Sequence, residues 1–350
     1  MLILGIETSC DETSAAVVEE TGDASKPWAV RSNIVASQVA IHREWGGVVP
    51  ELASRQHIRD ICGVVERSLD EARAAWSDLG AVAVTQGPGL VGSLLVGVSF
   101  AKSAAAAAGL PLVAVHHLAG HIESLVLQNG ELPLPAIVLV VSGGHTSLYL
   151  VKRPGHYELL SRTRDDAAGE AYDKVAKLLG LGYPGGPVID RLARTGNDRA
   201  VLLPTTRLTH ADRNAPELKG DLDFSFSGLK TAVLRHVRKE RAAGAPSERE
   251  IADICASFQR VVVTGLLDRL FDAARRYQAK SVGIAGGVSA NSRLRAELAD
   301  RGARREIPTF LPSLALSTDN AAMIAAAGLR KFRAGARASM DLNADAALAL

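Results

Sequence analysis

Residues 2–6 form an apolar run that breaks into a polar stretch at 7–14 and resumes at 15–18, a pattern that predicts strand, tight loop, strand. The same order returns at 136–141, 142–146 and 148–151, where glycine supplies the positive φ that such a loop needs. The chain therefore reads as an internal duplication. Each hairpin is followed by helical periodicity alternating with single strands: residues 82–85 ahead of Gln86-Gly87-Pro88-Gly89, and 281–285 ahead of Gly286-Gly287. Alternation of this kind predicts sheets covered by helices, and hence an α/β protein of two lobes with a cleft between them. Prolines bracket the joint at 133–135. This gives an amino-terminal lobe over 1–133, a carboxy-terminal lobe with a helical insertion over 134–334, and a flexible tail over 335–350, where small and acidic residues alternate without an apolar stripe.

At 350 residues and 47% hydrophobic content the chain has enough apolar material for two packed lobes and too much for a disordered one. Its three cysteines, Cys10, Cys62 and Cys255, form neither a CxxC pair nor an even framework, which points to a reducing compartment. The first apolar run is too short for a secretion signal, and no window reaches the ~20 apolar residues of a membrane span. A soluble, cytoplasmic protein with no membrane partner is expected. The net charge is only +2, so nucleic-acid binding would need a local basic face or a partner.

His116-His117-Leu118-Ala119-Gly120-His121 lies between a strand at 112–115 and a helical run at 121–127. Four apart, His117 and His121 can share one helical face and chelate through neutral imidazoles. Satisfied interior histidines are the competing reading of an isolated HxxxH. Asp319, at a helix start in Ser317-Thr318-Asp319-Asn320, is available as a third ligand. Two histidines and one carboxylate with open positions suit Fe(II) first and Zn(II) next. The zincin protease motif places glutamate directly after the first histidine, where this chain has Leu118.

Oligophosphate binding needs backbone N–H groups aimed at one point. Ser142-Gly143-Gly144 in the second hairpin tip and Gly286-Gly287 ahead of a helix from 290 offer two such cradles, although a lone Gly-Gly pair is more often an ordinary turn.

Several ordered motifs share one resemblance: GIETSCDET at Gly5, GGVVPELASRQH at Gly46, TQGPGLVGSL at Thr85, HHLAGH at His116 and VSGGHT at Val141. They continue with DDAAGEAYDKVAKLLGLGYPGGP at Asp165, DFSFSGLKT at Asp223, GGVSANSRLR at Gly286 and STDNAAMI at Ser317. Over about residues 1–330 the chain resembles the TsaD family, the tRNA adenosine threonylcarbamoyltransferases formerly described as glycoproteases. The resemblance implies the actin-like ATPase fold, built from two duplicated RNase H-like lobes. It implies transfer of a threonylcarbamoyl group from threonylcarbamoyl-AMP to the exocyclic amine of adenosine 37 in tRNAs reading ANN codons. Carried onto this sequence, it makes His117, His121 and Asp319 the metal ligands. Val140, Val141, Ser142, Gly143 and Gly144 would hold the adenylate or ATP, with Asp173, Gly186, Asp190 and Asn291 completing the contacts. The family also implies a heterodimer with the inert paralogue TsaB and association with the ATPase TsaE. The pattern departs at Ala119, where many relatives have glutamate.

The adenine amine is a weak nucleophile, so the reaction calls for a polarised acyl group and a proton acceptor. Asp11 and Glu12 in the first hairpin tip are the nominated catalytic carboxylates, Asp11 first, against the alternative that they hydrogen-bond their own turn. Glu170 is a candidate support for a histidine proton. Lys230 is left outside the site. The helix over residues 91–108, rich in small residues, is a candidate paralogue-packing surface. For tRNA the basic candidates are Arg235, Arg238, Lys239 and Arg241 on one segment, and Arg293, Arg295, Arg301, Arg304 and Arg305 on another, with solvated helix faces as the alternative. Two other functions compete: a metalloprotease, which lacks the required glutamate, and a sugar-kinase-like ATP-binding protein, for which the histidine pair would be dispensable.

Overall fold

The structure, a computed structural model, describes residues 1–208, 218, 220–241 and 246–350. The side chain of Arg241 lies outside the described residues. Two compact units form, one from residues 1–132, 153–157 and 312–350, the other from 133–152 and 158–311.

The first unit is built on strands β1 (Leu2–Glu7), β2 (Glu12–Glu20), β3 (Trp28–Ser37), β4 (Leu79–Gly87) and β5 (Leu112–His116) in the order β3-β2-β1-β4-β5. β1 and β2 form the expected hairpin, with Ile6 opposite Ala15, while β4 and β5 run parallel to β1. Residues alternate across the sheet as the two-residue period requires. Leu4 and Ile6 join Ile61, Val82 and Val98 in a core beneath helices Pro50–Ala72 and Val91–Ala108. Ile3 joins Val18, Val115 and Ile324 on the other face, beneath helices His117–Asn129 and Ala321–Arg333. Gly5 shares that second face. A Cβ there would stand 2.4 Å from the Ala321 carbonyl oxygen, so the glycine sets how closely the last helix approaches β1.

In the second unit β6 (Ala136–Val141), β7 (Thr146–Arg153), β8 (His156–Arg162), β9 (Ser281–Ala285) and β10 (Thr309–Phe310) take the order β10-β9-β6-β7-β8. β6 pairs antiparallel with β7 and parallel with β9, and β9 parallel with β10. Read from the β8 edge, this is the strand order of the first unit. The duplication expected from the two hairpins is thus present in the backbone topology. The long helix Glu248–Arg276 covers one face, burying Phe258, Val262 and Leu266 against Ile137, Leu139 and Ile284.

Residues 335–350, expected to fray, make backbone contacts along the first unit. Ala338 N–H donates to the Leu112 carbonyl, Asp345 N–H to that of Gln86, and Gly89 N–H to that of Ala346. A Cβ on Gly87 would overlap the Asp345 carbonyl, so this segment lies directly on the Gly87 backbone. Among the described residues one helix, Val91–Ala108, has the length and composition of a membrane span. Its face bearing Leu94, Gly97, Val98, Ala101 and Ala105 is buried in the unit.

Candidate metal centre and glycine turns

The end of β5 runs straight into helix His117–Asn129, whose first turn is fixed by His116: its Nδ1 accepts from Leu118 N–H at 3.1 Å. Its Nε2 lies 3.0 Å from the Leu348 carbonyl oxygen. Burial pushes the His116 pKa down to about 4, so it serves as a neutral cap. The helix thus begins with His117 facing the sheet ends and places His121 one turn on. Helix Ala321–Arg333 closes on it at Gly120, where a Cβ would meet Ile324 Cδ1 at 2.8 Å. Arg330 Nε clamps the pair by donating to the buried Glu123 at 2.6 Å. Asn320 caps that second helix, its Oδ1 accepting from Met323 N–H at 3.1 Å, and so presents Asp319 just before the first turn.

The result is a compact three-ligand cluster. Asp319 Oδ1 lies 3.2 Å from His121 Nε2 and 3.6 Å from His117 Nε2, and one ligand atom from each residue fits within 4.8 Å of the others. His121 is fully buried; its Nε2 faces the Asp319 carboxylate at 3.2 Å, and its Nδ1 makes no hydrogen bond among the described residues. A buried imidazole left so is costly unless another species uses its lone pair. Two imidazoles and a carboxylate are a donor set for a divalent transition ion, so the residues fit the metal that the sequence leads one to expect.

His117 has further partners. Its Nδ1 lies 3.1 Å from Glu7 Oε2 and 3.2 Å from Ser9 Oγ. Burial works against its protonation, but the carboxylates of Asp319 and Glu7 push its pKa up to about 9. At His121 burial dominates and holds the pKa below its ordinary value. Burial would raise the Glu7 carboxyl, and the charge and hydrogen bond of His117 bring it below the usual range. The sequence reading missed Glu7. Its signal was present all the same: an acidic residue closing an apolar strand inside the first motif.

Asp11 is buried in the first hairpin tip, while Glu12 is the first residue of β2 rather than part of the loop. Ser37 Oγ donates to Glu12 Oε1 at 3.2 Å. Burial, then the charge of Asp11, raises the Glu12 pKa well above the carboxylate range, with Asp319 adding to the repulsion. The tip is held from below by His57, whose Nε2 lies 3.0 Å from the Cys10 carbonyl oxygen and whose Nδ1 lies 2.8 Å from Thr13 Oγ1.

In the second unit the expected adenylate residues divide into two kinds. Val140 and Val141 belong to β6 rather than to a loop, and their side chains are wholly buried, so only their main chain is available to a ligand. Gly143 and Gly144 stand at the exposed tip, and a Cβ on either would meet nothing. Gly186 and Gly287 are equally open. Gly286, with φ +91°, instead packs on β6: a Cβ there would lie 2.4 Å from the Val141 carbonyl oxygen. Helix Ala168–Leu179 begins beside the tip, with Gly169 N–H donating to the Ser142 carbonyl at 3.2 Å. Asp173 Oδ1 accepts from Gly185 N–H at 2.7 Å, which orders the glycine turn that carries Gly186.

Asp190 and Asn291 meet through Gln259, another residue the sequence reading missed. Gln259 Nε2 donates to Asp190 Oδ1 at 3.1 Å, and Asn291 Nδ2 to Gln259 Oε1 at 2.8 Å. Asn291 Oδ1 caps helix Ser292–Arg304 by accepting from Leu294 N–H at 2.9 Å. That helix starts at Ser292; residues 287–290 form a short 3₁₀ turn ahead of it. Glu170 pairs with Lys174 at 2.8 Å, and Lys230 with Asp166 at 2.8 Å.

The two basic segments differ. Arg293 is paired with Asp198 and Glu297, Arg301 with Asp268 and Glu297, and Arg304 with Asp300, while Arg305 lies over the Phe271 ring at 4.6 Å. Arg295 donates to the Ser289 carbonyl at 3.0 Å. Arg235, Arg238 and Lys239 are exposed on helix Ser227–Arg241 and form no ion pair among the described residues.

Fold and site together define an actin-like α/β protein with a two-histidine, one-carboxylate cluster whose donors suit a divalent ion. Component A of the (R)-2-hydroxyglutaryl-CoA dehydratase of Acidaminococcus fermentans shares the fold, with a TM-score of 0.53 over 95% of this chain and 99% of that one at 15% identity. The family model for tRNA N6-adenosine threonylcarbamoyltransferase, TsaD, matches residues 29–326. Among curated relatives so named, that of Anaeromyxobacter sp. (strain Fw109-5) is 52% identical over 99% of both chains. That of Moorella thermoacetica is 51% identical over 98% of this chain and 95% of its own. The chain belongs to the tRNA N6-adenosine threonylcarbamoyltransferase family.

Proposed function

We propose that this chain transfers the threonylcarbamoyl group of threonylcarbamoyl-AMP to N6 of adenosine 37 in tRNAs reading ANN codons. The observation that carries the reading is the cluster of buried His117 and His121 with half-buried Asp319, in a chain about half identical to relatives named for this activity. The substrate is a mixed anhydride: the N6 lone pair attacks the carbamoyl carbon, the bond from that carbon to the phosphate oxygen breaks, AMP departs and N6 loses a proton. His117, His121 and Asp319 would hold the divalent ion, Fe(II) by preference and Zn(II) as the alternative, which supplies Lewis-acid polarisation when bound.

The open backbone of Gly143 and Gly144 gives the adenylate phosphate its N–H donors, while Ser142, whose own N–H goes to the His145 carbonyl, and Val140 and Val141 of β6 hold the tip beneath the ligand. Asp173 holds the turn of Gly186 against the nucleotide, and the Asp190–Gln259–Asn291 chain fixes the neighbouring helix starts. Asp11 accepts the amine proton, and Glu12, whose carboxyl burial and the Asp11 charge hold above the usual carboxylate range, stands beside it. Recognition of tRNA draws on Arg235, Arg238 and Lys239, exposed and without an ion pair among the described residues, and on partners: a TsaB paralogue docking on the exposed Val91 and Leu95 of helix Val91–Ala108, and the ATPase TsaE. The site of action would be the cytoplasm.

Reconstitution tests the reading. The chain is combined with its two partners, the adenylate-forming enzyme, threonine, bicarbonate, ATP and an ANN-decoding transcript, and the nucleosides are read by mass. Threonylcarbamoyladenosine should form and should vanish when this chain is omitted; product without the chain would refute the assignment.

A further inference from the structure

Glu7, the last residue of β1, is wholly buried, and three donors from three segments converge on it. Ser9 N–H donates to Oε1, and the Thr85 hydroxyl donates to Oε2 at 2.6 Å, the same oxygen that faces His117 Nδ1 at 3.1 Å. An ionised carboxylate only accepts, so the hydrogen shared with Glu7 belongs to Nδ1, and Nε2, 3.6 Å from Asp319 Oδ1, is the nitrogen whose lone pair a cation would take on displacing its proton. His121 has no comparable support from behind: its Nε2 faces Asp319 at 3.2 Å, and its Nδ1 lacks a hydrogen bond among the described residues. One histidine of the pair is therefore oriented from behind and the other only by its helix.

We infer that Glu7 is the positioning residue of the metal centre, holding the His117 ring through Nδ1–H so that Nε2 is presented to a divalent cation. Thr85, from the end of β4, and the Ser9 amide hold the Glu7 carboxylate in turn, which ties the ligand's orientation to the sheet. Carboxylates that accept from the far nitrogen of a ligating histidine are worth about 10- to 100-fold in metal affinity. The inference rests on the metal reading above.

The test uses the purified full chain and Co(II), titrated in competition with a chelator, with the visible ligand-field bands read at saturation. Glu7→Gln should weaken Co(II) binding by about 10- to 100-fold and shift the bands. Thr85→Val, which leaves the carboxylate in place with one donor fewer, should move both readouts the same way by less. A purely structural role would lower the melting temperature and leave Co(II) affinity and bands alone, and that result would overturn the inference. If Glu7→Gln fails to fold, Thr85→Val decides by the same criterion. Binding of Co(II) by the parent chain with unchanged binding by the variants removes only the role of Glu7, whereas no binding by the parent chain removes the metal reading with it.

Discussion

At the tip of the first hairpin stand Glu7, Ser9 and Asp11, all buried and polar; at the matching tip of the second stand Ser142, Gly143 and Gly144, the two glycines exposed. The strand order beneath is the same, so the scaffold does not choose the chemistry. Side-chain ligation needs desolvated groups locked by partners, and the first tip supplies them through Thr85, His57 and His117. Main-chain donation to a phosphate needs the reverse, a backbone with nothing over it.

The comparison breaks most visibly at the metal ligands. Replacing His121 or Asp319 by alanine should weaken retention of the ion, measured as metal per chain after dialysis against a chelator, and lower transfer on the order of 10³-fold, since a Lewis acid contributes several kcal/mol. Full metal content in either variant would end the claim that side chains of the first unit hold the ion. A smaller effect separates the glycines of the second unit. Gly143→Val should leave the melting temperature unchanged and weaken binding of a non-hydrolysable adenylate about tenfold, about 1.4 kcal/mol, by covering the open backbone. Gly286→Ala should instead destabilise the fold by about 1–3 kcal/mol, because its φ is +91° and its Cβ would press on Val141. Equal melting temperatures for the two would erase the distinction between cradle and packing glycine.

The smallest effects concern charge. Each neutralisation of Arg235, Arg238 or Lys239 should reduce the salt dependence of tRNA binding by about one unit of slope. Arg304→Ala should leave that slope alone and change stability by less than about 0.5 kcal/mol, since its pairing with Asp300 is exposed.

Much of this was legible in the sequence because it rests on local patterns. The two hairpins announce themselves by alternation of apolar runs with short polar tips, and His117 and His121 lie one helical turn apart, so their common face follows from spacing alone. The placement of Asp319 beside them depended on resemblance, since no periodicity relates residues about 200 apart. What was missed is tertiary. Glu7 is marked only as an acidic end to an apolar strand and Gln259 looks like an ordinary helix residue, and only the fold brings Thr85 and His117 to the one and Asp190 and Asn291 to the other. The segment 335–350 lacks an apolar stripe because it is held by main-chain hydrogen bonds to Gln86, Gly89 and Leu112, which leave no trace in side-chain pattern.

X-ray absorption at the zinc edge of the Zn(II)-loaded chain tests the division of labour most directly. Nitrogen and oxygen neighbours at about 2.0–2.2 Å are expected, with imidazole scattering from two rings in the parent chain and from one in His121→Ala. An imidazole signal that His121→Ala leaves unchanged, or no imidazole signal at all, would contradict the account.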